Sequence, residues 1–225
     1  VTPEQTARYR TALAHVYWIG GPPDAGKTTV SQLVAEMLGG VAYRQDAEEL
    51  RHLKWSDPAS HPRGARLQAL IETLTERELF ETLWLGKSPE TMARDARLSW
   101  EERIDFICDD LSDLPSDRPI VAEGPGFFPG VIVPLLADST HAIWLVPTEA
   151  FKRASHGRRE KSGWRAMTSD PERAMRNHIE RDLIMAGMYR KDLEKRGLPW
   201  IEIDGSEAAE GIAERVVRHV RSGSE

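Results

Sequence analysis

Five short apolar runs punctuate the chain, at residues 15–19 (HVYWI), 41–44 (VAYR), 119–122 (PIVA), 141–146 (HAIWLV) and 199–203 (PWIEI). Each is strand-sized and rich in β-branched or aromatic residues, the pattern of buried strands in a parallel sheet. Between them the spacing turns helical. Residues 28–38 place Val30, Leu33, Val34 and Met37 on one face, and Gly39-Gly40 supplies the stop. Thr2, Pro3 and Gln5 predict a capped helix start, with the helix ending near Ala14. Residues 47–115 read as mostly helical, broken around Pro58, Pro62 and Pro89, with a further start at Ser99 capped against Glu102. The last helix is expected over residues 206–219, with Ser206 as its cap. Strand and helix alternate along the whole chain, which predicts an α/β fold with a parallel sheet wrapped by helices.

Length and composition fit that picture. A chain of 225 residues suits one domain, 1–225, with 40% apolar and 29% charged residues, as in ordinary globular proteins. The single cysteine, Cys108, excludes a disulfide framework and falls among Ile104, Ile107 and Leu111 as a core residue. The apolar runs are far shorter than the ~20 residues of a membrane helix. No secretory signal is legible, so no membrane partner and a cytoplasmic setting are the expectations. The net charge of −6 argues against a long nucleic-acid partner. That charge is unevenly spread, because residues 152–176 hold eight Lys or Arg against three acids. Such a segment suits a small anionic ligand, or is simply a solvated basic face.

The strongest chemical signal is residues 21–28, GPPDAGKT, which fit G-x-x-x-x-G-K-[ST] between a strand and a helix. Backbone N–H groups at a helix N-terminus form an anion cradle, and glycine lets phosphate oxygens approach closely. Pro22 and Pro23 have no N–H. The cradle then falls to Asp24, Ala25, Gly26, Lys27, Thr28 and Thr29, with Gly21 giving the turn. Lys27 would reach the β- and γ-phosphates of a nucleoside triphosphate and the Thr28 hydroxyl would ligate Mg²⁺. GTPases, ATPases and small-molecule kinases share this loop. The chain has no guanine-reading N-K-x-D.

The layout resembles the P-loop kinase group that includes nucleoside monophosphate kinases and small-molecule kinases such as shikimate and chloramphenicol phosphotransferases. Beside the loop, three features carry the resemblance. Asp46 closes the second strand, where several members keep an acid that meets the acceptor hydroxyl. Read from its neighbours alone, Asp46 is equally a helix cap for residues 47–53 with Glu49 as its partner. Glu123-Gly124-Pro125-Gly126-Phe127-Phe128-Pro129 is similar to the acid-Gly-Phe-Pro segment whose acid helps hold Mg²⁺, although the group more often has Asp and a shorter spacing. The basic residues 152–176 stand where the group keeps its lid. The resemblance implies lid cations at Arg153, Arg158, Arg159 and Arg165, with Arg158 or Arg159 on phosphate and acting in catalysis, and Arg173 and Arg176 on the returning helix. Asp204-Gly205-Ser206 resembles a turn that borders adenine, so Gly205 and Ser206 join the nucleotide site. It equally reads as a plain strand-to-helix turn.

For the whole chain, the resemblance implies a three-layer P-loop NTPase fold with a five-stranded parallel sheet of order 2-3-1-4-5. It also implies a helical acceptor-binding insert at 47–115 and an Arg-rich lid at 152–176. The implied activity is Mg-ATP-dependent transfer of the γ-phosphoryl group to a nucleotide or hydroxylated small molecule. An ATPase without acceptor and a non-catalytic ATP-binding module are the alternatives. On the acceptor side, Trp55, Trp84 and Trp100 could each stack on a planar ring, with core filling the favoured reading for any one of them. Arg51, His52, Lys54, Arg63 and Arg66 read as a solvated face by default and equally as groups that could hold an acceptor phosphate, and Arg181-Asp182 reads as an internal ion pair. Acceptor identity and oligomeric state stay open.

Overall fold

The computed structural model describes residues 1–158 and 167–223, the last three residues before the gap by backbone alone. Its strands are β1 (Val16–Gly20), β2 (Val41–Arg44), β3 (Ile120–Gly124), β4 (Ala142–Pro147) and β5 (Trp200–Ile203). They form one all-parallel sheet in the order β2-β3-β1-β4-β5. The five apolar runs and the strand order therefore stand as expected. In register, Glu123 lies opposite both Ile19 of β1 and Arg44 of β2, so the carboxyl ends of three strands meet.

Strand alternation splits the core into two layers. On one face Trp18, Ile120, Ala122, Trp144 and Val146 pack against α1 (Pro3–Ala12), α7 (Ile104–Asp113) and α10 (Pro171–Arg196). On the other, Ile19, Val121, Ile143 and Leu145 pack against α2 (Lys27–Leu38) and α11 (Ala209–Arg221). The chain leaves β1 into α2 on the second face and leaves β3 into α8 (Pro129–Ile132) on the first. A crevice between such divergent connections is where open α/β sheets bind ligands.

Local signals explain several boundaries. Thr2 and Gln5 exchange capping-box hydrogen bonds at 3.2 and 2.8 Å. Gly39 stops α2 at φ 68°, a conformation that costs a residue with a Cβ about 1 kcal/mol. The buried stripe of α2 is Val30, Ser31, Val34 and Ala35, whose small members bring the helix close to the sheet, whereas Met37 is exposed.

Other expectations are corrected. β2 runs into α3 (Gln45–Trp55) without a linker, so Arg44 is the N-cap and Asp46 already lies in the first turn. Asp46 is therefore not the cap, and Glu49 pairs with Arg103 at 2.7 Å instead. Ser99 starts no helix. It is buried near the end of α6 (Pro89–Glu102), because the apolar stripe of Met92, Ala93 and Trp100 runs through it. Glu102 takes the Gly64 N–H at 2.6 Å. Ser206 is likewise not a cap. It donates to the Asp204 carboxylate through N–H and hydroxyl, and α11 starts after Ala208.

The insert is built from α3, α4 (Pro62–Thr73), α5 (Glu76–Trp84), α6 and α7, with Pro62 and Pro89 at helix starts rather than inside helices. Among the described residues, α4 and α5 give no side chain to either core layer. Trp55 is exposed under a stacked Arg51 guanidinium, not core. Arg51 and His52 are not a solvated face either. With the Tyr43 hydroxyl they converge on Asp110, at 2.6, 2.8 and 2.8 Å. No described helix is long and apolar enough to cross a membrane.

Burial and the Asp109 carboxylate, which accepts from the Tyr9 hydroxyl at 2.7 Å, push Tyr9 up to about 12. Burial also raises Tyr43 and Tyr189. Protonated phenols then favour the folded state fully below about 10, the unfolded value. We expect stability to fall from there upward, through about 12 for Tyr9. Denaturant midpoints measured from pH 9 to 12 test this, and a flat profile would refute it.

Candidate functional site

The site begins where β1 meets α2. Gly20 ends the strand against the Trp144 ring and the Phe127 carbonyl, where a Cβ would sit 2.4–2.5 Å from both. Gly21 turns the chain at φ 138°, with the Leu145 carbonyl 2.1 Å from any added Cβ. Asp24 is held at φ 62° and Gly26 caps α2 at φ 80°. Among the described residues, the N–H groups of Ala25, Gly26, Lys27, Thr28 and Thr29 have no backbone acceptor. These donors and the helix dipole make the loop an electropositive cradle. Ala25 is buried, whereas Thr28 and Thr29 face outward.

Lys27 is buried and donates to the Pro22 carbonyl at 2.9 Å, across the turn it closes. Burial lowers its pKa, while the carboxylates of Glu123, Asp46 and Asp24 act to raise it. The Thr28 hydroxyl donates to Glu123 Oε1 at 2.8 Å. Glu123 is only 2% exposed, and Arg44 Nε stands 3.9 Å from the same oxygen. Burial pushes the Glu123 carboxyl up, and Lys27 and the Thr28 hydrogen bond pull it down. Lys27, Thr28 and Glu123 thus converge, and exposed Asp46 is near enough for its charge to act on both Lys27 and Glu123.

Residues not foreseen as site residues hold this arrangement. Gln45, buried at the start of α3, accepts the Gly126 N–H at 2.8 Å and ties α3 to the strand that carries Glu123. The Tyr189 hydroxyl donates to the Pro125 carbonyl at 2.9 Å and Trp144 Nε1 to the Phe127 carbonyl at 2.8 Å. Lys152, on α9 (Glu149–Arg158), is buried rather than part of a solvated basic face. It donates to the Pro23 carbonyl at 3.1 Å and to Asp24 at 3.0 Å, and pairs with fully buried Asp182 of α10. Asp182 also lies 2.6 Å from Arg181, as the sequence pair suggested, and 3.5 Å from His178. The only sequence signal for Lys152 is its place in a basic segment, which says nothing of burial.

A cavity of about 250 Å³ opens within the insert between α3, α4, α5, α6 and α10. Glu49, on its wall, is one helical turn beyond Asp46, and such side chains stand about 5–6 Å apart. Trp100, also on the wall, packs against Gly126 just past Glu123. Trp84 borders the cavity with the Arg181 guanidinium 5.0 Å from its ring.

The remaining expected residues divide. Arg153 pairs with Glu149 and Glu180 at 2.8 and 2.9 Å. Gly205, at φ 86°, packs on Phe151, next to Lys152, and Ser206 is held by Asp204. The side chain of Arg158, and Arg159 and Arg165 entirely, lie outside the described residues. The chain matches no protein-family model and no curated protein.

Proposed function

We propose that this chain is a Mg-ATP-dependent phosphotransferase that moves the γ-phosphoryl group of ATP to a small hydroxylated acceptor, in the manner of the P-loop kinases it resembles. One observation carries the reading. The electropositive loop with Lys27, Thr28 and Glu123 faces an acid, Asp46, that leads by one helical turn to a cavity. Hydrolysis alone needs no such cavity.

The donor set suits Mg²⁺, which takes few protein oxygens and completes its shell with water and substrate phosphates. Among the described residues no cluster of three His, Cys, Asp or Glu could hold an ion. The Thr28 hydroxyl and Glu123 carboxylate, both hard oxygens at one point, fit instead. When bound, Mg²⁺ neutralises charge on the β- and γ-phosphate oxygens.

The chain's own groups then have defined tasks. Backbone N–H groups of residues 24–29 hold the phosphates. Lys27 releases the Pro22 carbonyl and meets the β,γ oxygens, where transition-state charge gathers. The acceptor oxygen bonds to the γ-phosphorus, the bond to the β,γ-bridging oxygen breaks and ADP leaves. Asp46 orients the acceptor hydroxyl and takes its proton. Lid arginines at 153, 158, 159 and 165 belong to this proposal, as do Gly205 and Ser206 beside the adenine.

ADP release is the test, measured with and without acceptors from several chemical classes. Acceptor-stimulated release is expected, and a blank as fast as every acceptor would refute transfer. Asp46→Asn is expected to lower kcat about a hundredfold with ATP affinity unchanged. An unchanged kcat would remove Asp46 from the proton path.

A further inference from the structure

The insert cavity has an apolar wall of Leu67 and Leu70 from α4, Leu83 and Trp84 from α5, and Met92, Ala96 and Trp100 from α6. Most charged groups on the wall are already paired. Arg103 meets Glu49 at 2.7 Å and Lys87 meets Asp95 at 2.6 Å. Arg63 reaches Glu102 at 3.4 Å, and Arg181 lies 2.6 Å from Asp182. Arg66 is the one wall cation without an acid partner among the described residues, and it is exposed at the rim.

A phosphate dianion is bound by several charge-assisted donors. Recruiting them here would break ion pairs that the cavity already makes. An apolar ring, in contrast, removes water from leucine, methionine and indole surfaces without disturbing any pair. A volume of about 250 Å³ also falls just under the usual ligand-pocket range of about 300 to 1,000 Å³, so only a compact molecule fits. Resting on the phosphotransferase reading, the geometry points to an acceptor that is an alcohol built on a compact apolar ring. It carries at most one negative charge, met by Arg66, and is not a nucleoside monophosphate. Its body fills the cavity and its hydroxyl extends past Glu49 to Asp46.

The probes are 2-phenylethanol, cyclohexylmethanol and 4-(hydroxymethyl)benzoate, against AMP, CMP, GMP, UMP and D-glucose. Each is added to the full chain with Mg-ATP, and ADP release is read beside the fluorescence of the cavity tryptophans. The ring alcohols are expected to stimulate ADP release and to shift fluorescence saturably. Ala96→Phe, which fills the cavity, is expected to abolish both effects, with Leu83→Phe as a second filling variant. Arg66→Ala is expected to raise KM for the carboxylate alone by roughly tenfold. Stimulation by a nucleoside monophosphate or glucose instead overturns the inference and leaves the phosphotransferase reading standing. Silence of all three alcohols in both readouts overturns the inference as well. Acceptor-independent ADP release, unchanged by any probe, overturns the phosphotransferase reading itself.

Discussion

Lys27→Ala is expected to lower the rate of ADP formation by about a thousandfold or more, the scale of losing a cation aimed at transition-state charge. The expectation rests on the proposed phosphotransferase role and on where the side chain lies. The side chain is buried, it crosses the turn to the Pro22 carbonyl, and three carboxylates oppose the fall in its pKa. The fold should survive the substitution, because Glu123 can take up a proton once its counter-charge is gone. Burial already pushes that carboxyl towards its neutral form. Circular dichroism should therefore be unchanged while single-turnover ADP formation collapses. A variant that folds and keeps more than about a tenth of the wild-type rate would remove Lys27 from the chemistry.

Lys152→Met is expected to destabilise the protein by about 3 kcal/mol, the loss typical of breaking a buried ion pair by removing one partner. Methionine fills a similar volume, so packing is nearly kept and the charge is the main change. Asp182 would stay fully buried with Arg181 and His178, and Asp24 would lose the ammonium that now holds its carboxylate. Asp24 sits at φ 62°, a backbone state unfavourable for a residue with a Cβ, so its tether matters to the loop's shape. The urea midpoint should fall and the affinity for Mg-ATP should weaken with it. Adding Asp182→Asn to Lys152→Met should recover part of the stability, since the buried cluster then loses one acid along with the ammonium and its charges balance again. An unchanged midpoint in the single variant would show that Lys152 does not hold the loop.

Comparison of particular residues shows what the sequence could reveal. The five strands were legible because apolar runs between helical stretches have few other uses, and the Thr2 and Gly39 signals were legible because caps are local chemistry. Residues 21–28 were legible as a glycine turn between strand and helix, and their hold on phosphate belongs to the proposal. A fixed spacing specifies one backbone shape, and Gly21 and Gly26 adopt the positive φ it requires. The misreadings share a different origin. Ser99 and Glu102 form a good local capping pair, yet the apolar stripe of α6 continues through them and wins. Lys152 is one basic residue among eight, and contacts distant in sequence, with Pro23, Asp24 and Asp182, make it structural. Arg51 and His52 meet at Asp110, in a helix not adjacent in sequence, with His52 buried and Arg51 half-exposed. Burial of charged side chains, and their pairing between distant elements, are tertiary facts that local spacing does not encode.

The separation of α4 and α5 from both core layers has an evolutionary consequence. Leu67, Leu70 and Leu83 shape the cavity but contribute nothing to the packing of the sheet. Substitutions there are expected to cost less stability than changes in the two core layers. Selection could therefore re-cut the pocket for a new molecule one residue at a time. Meanwhile the loop, Glu123 and the sheet that carries them would remain fixed.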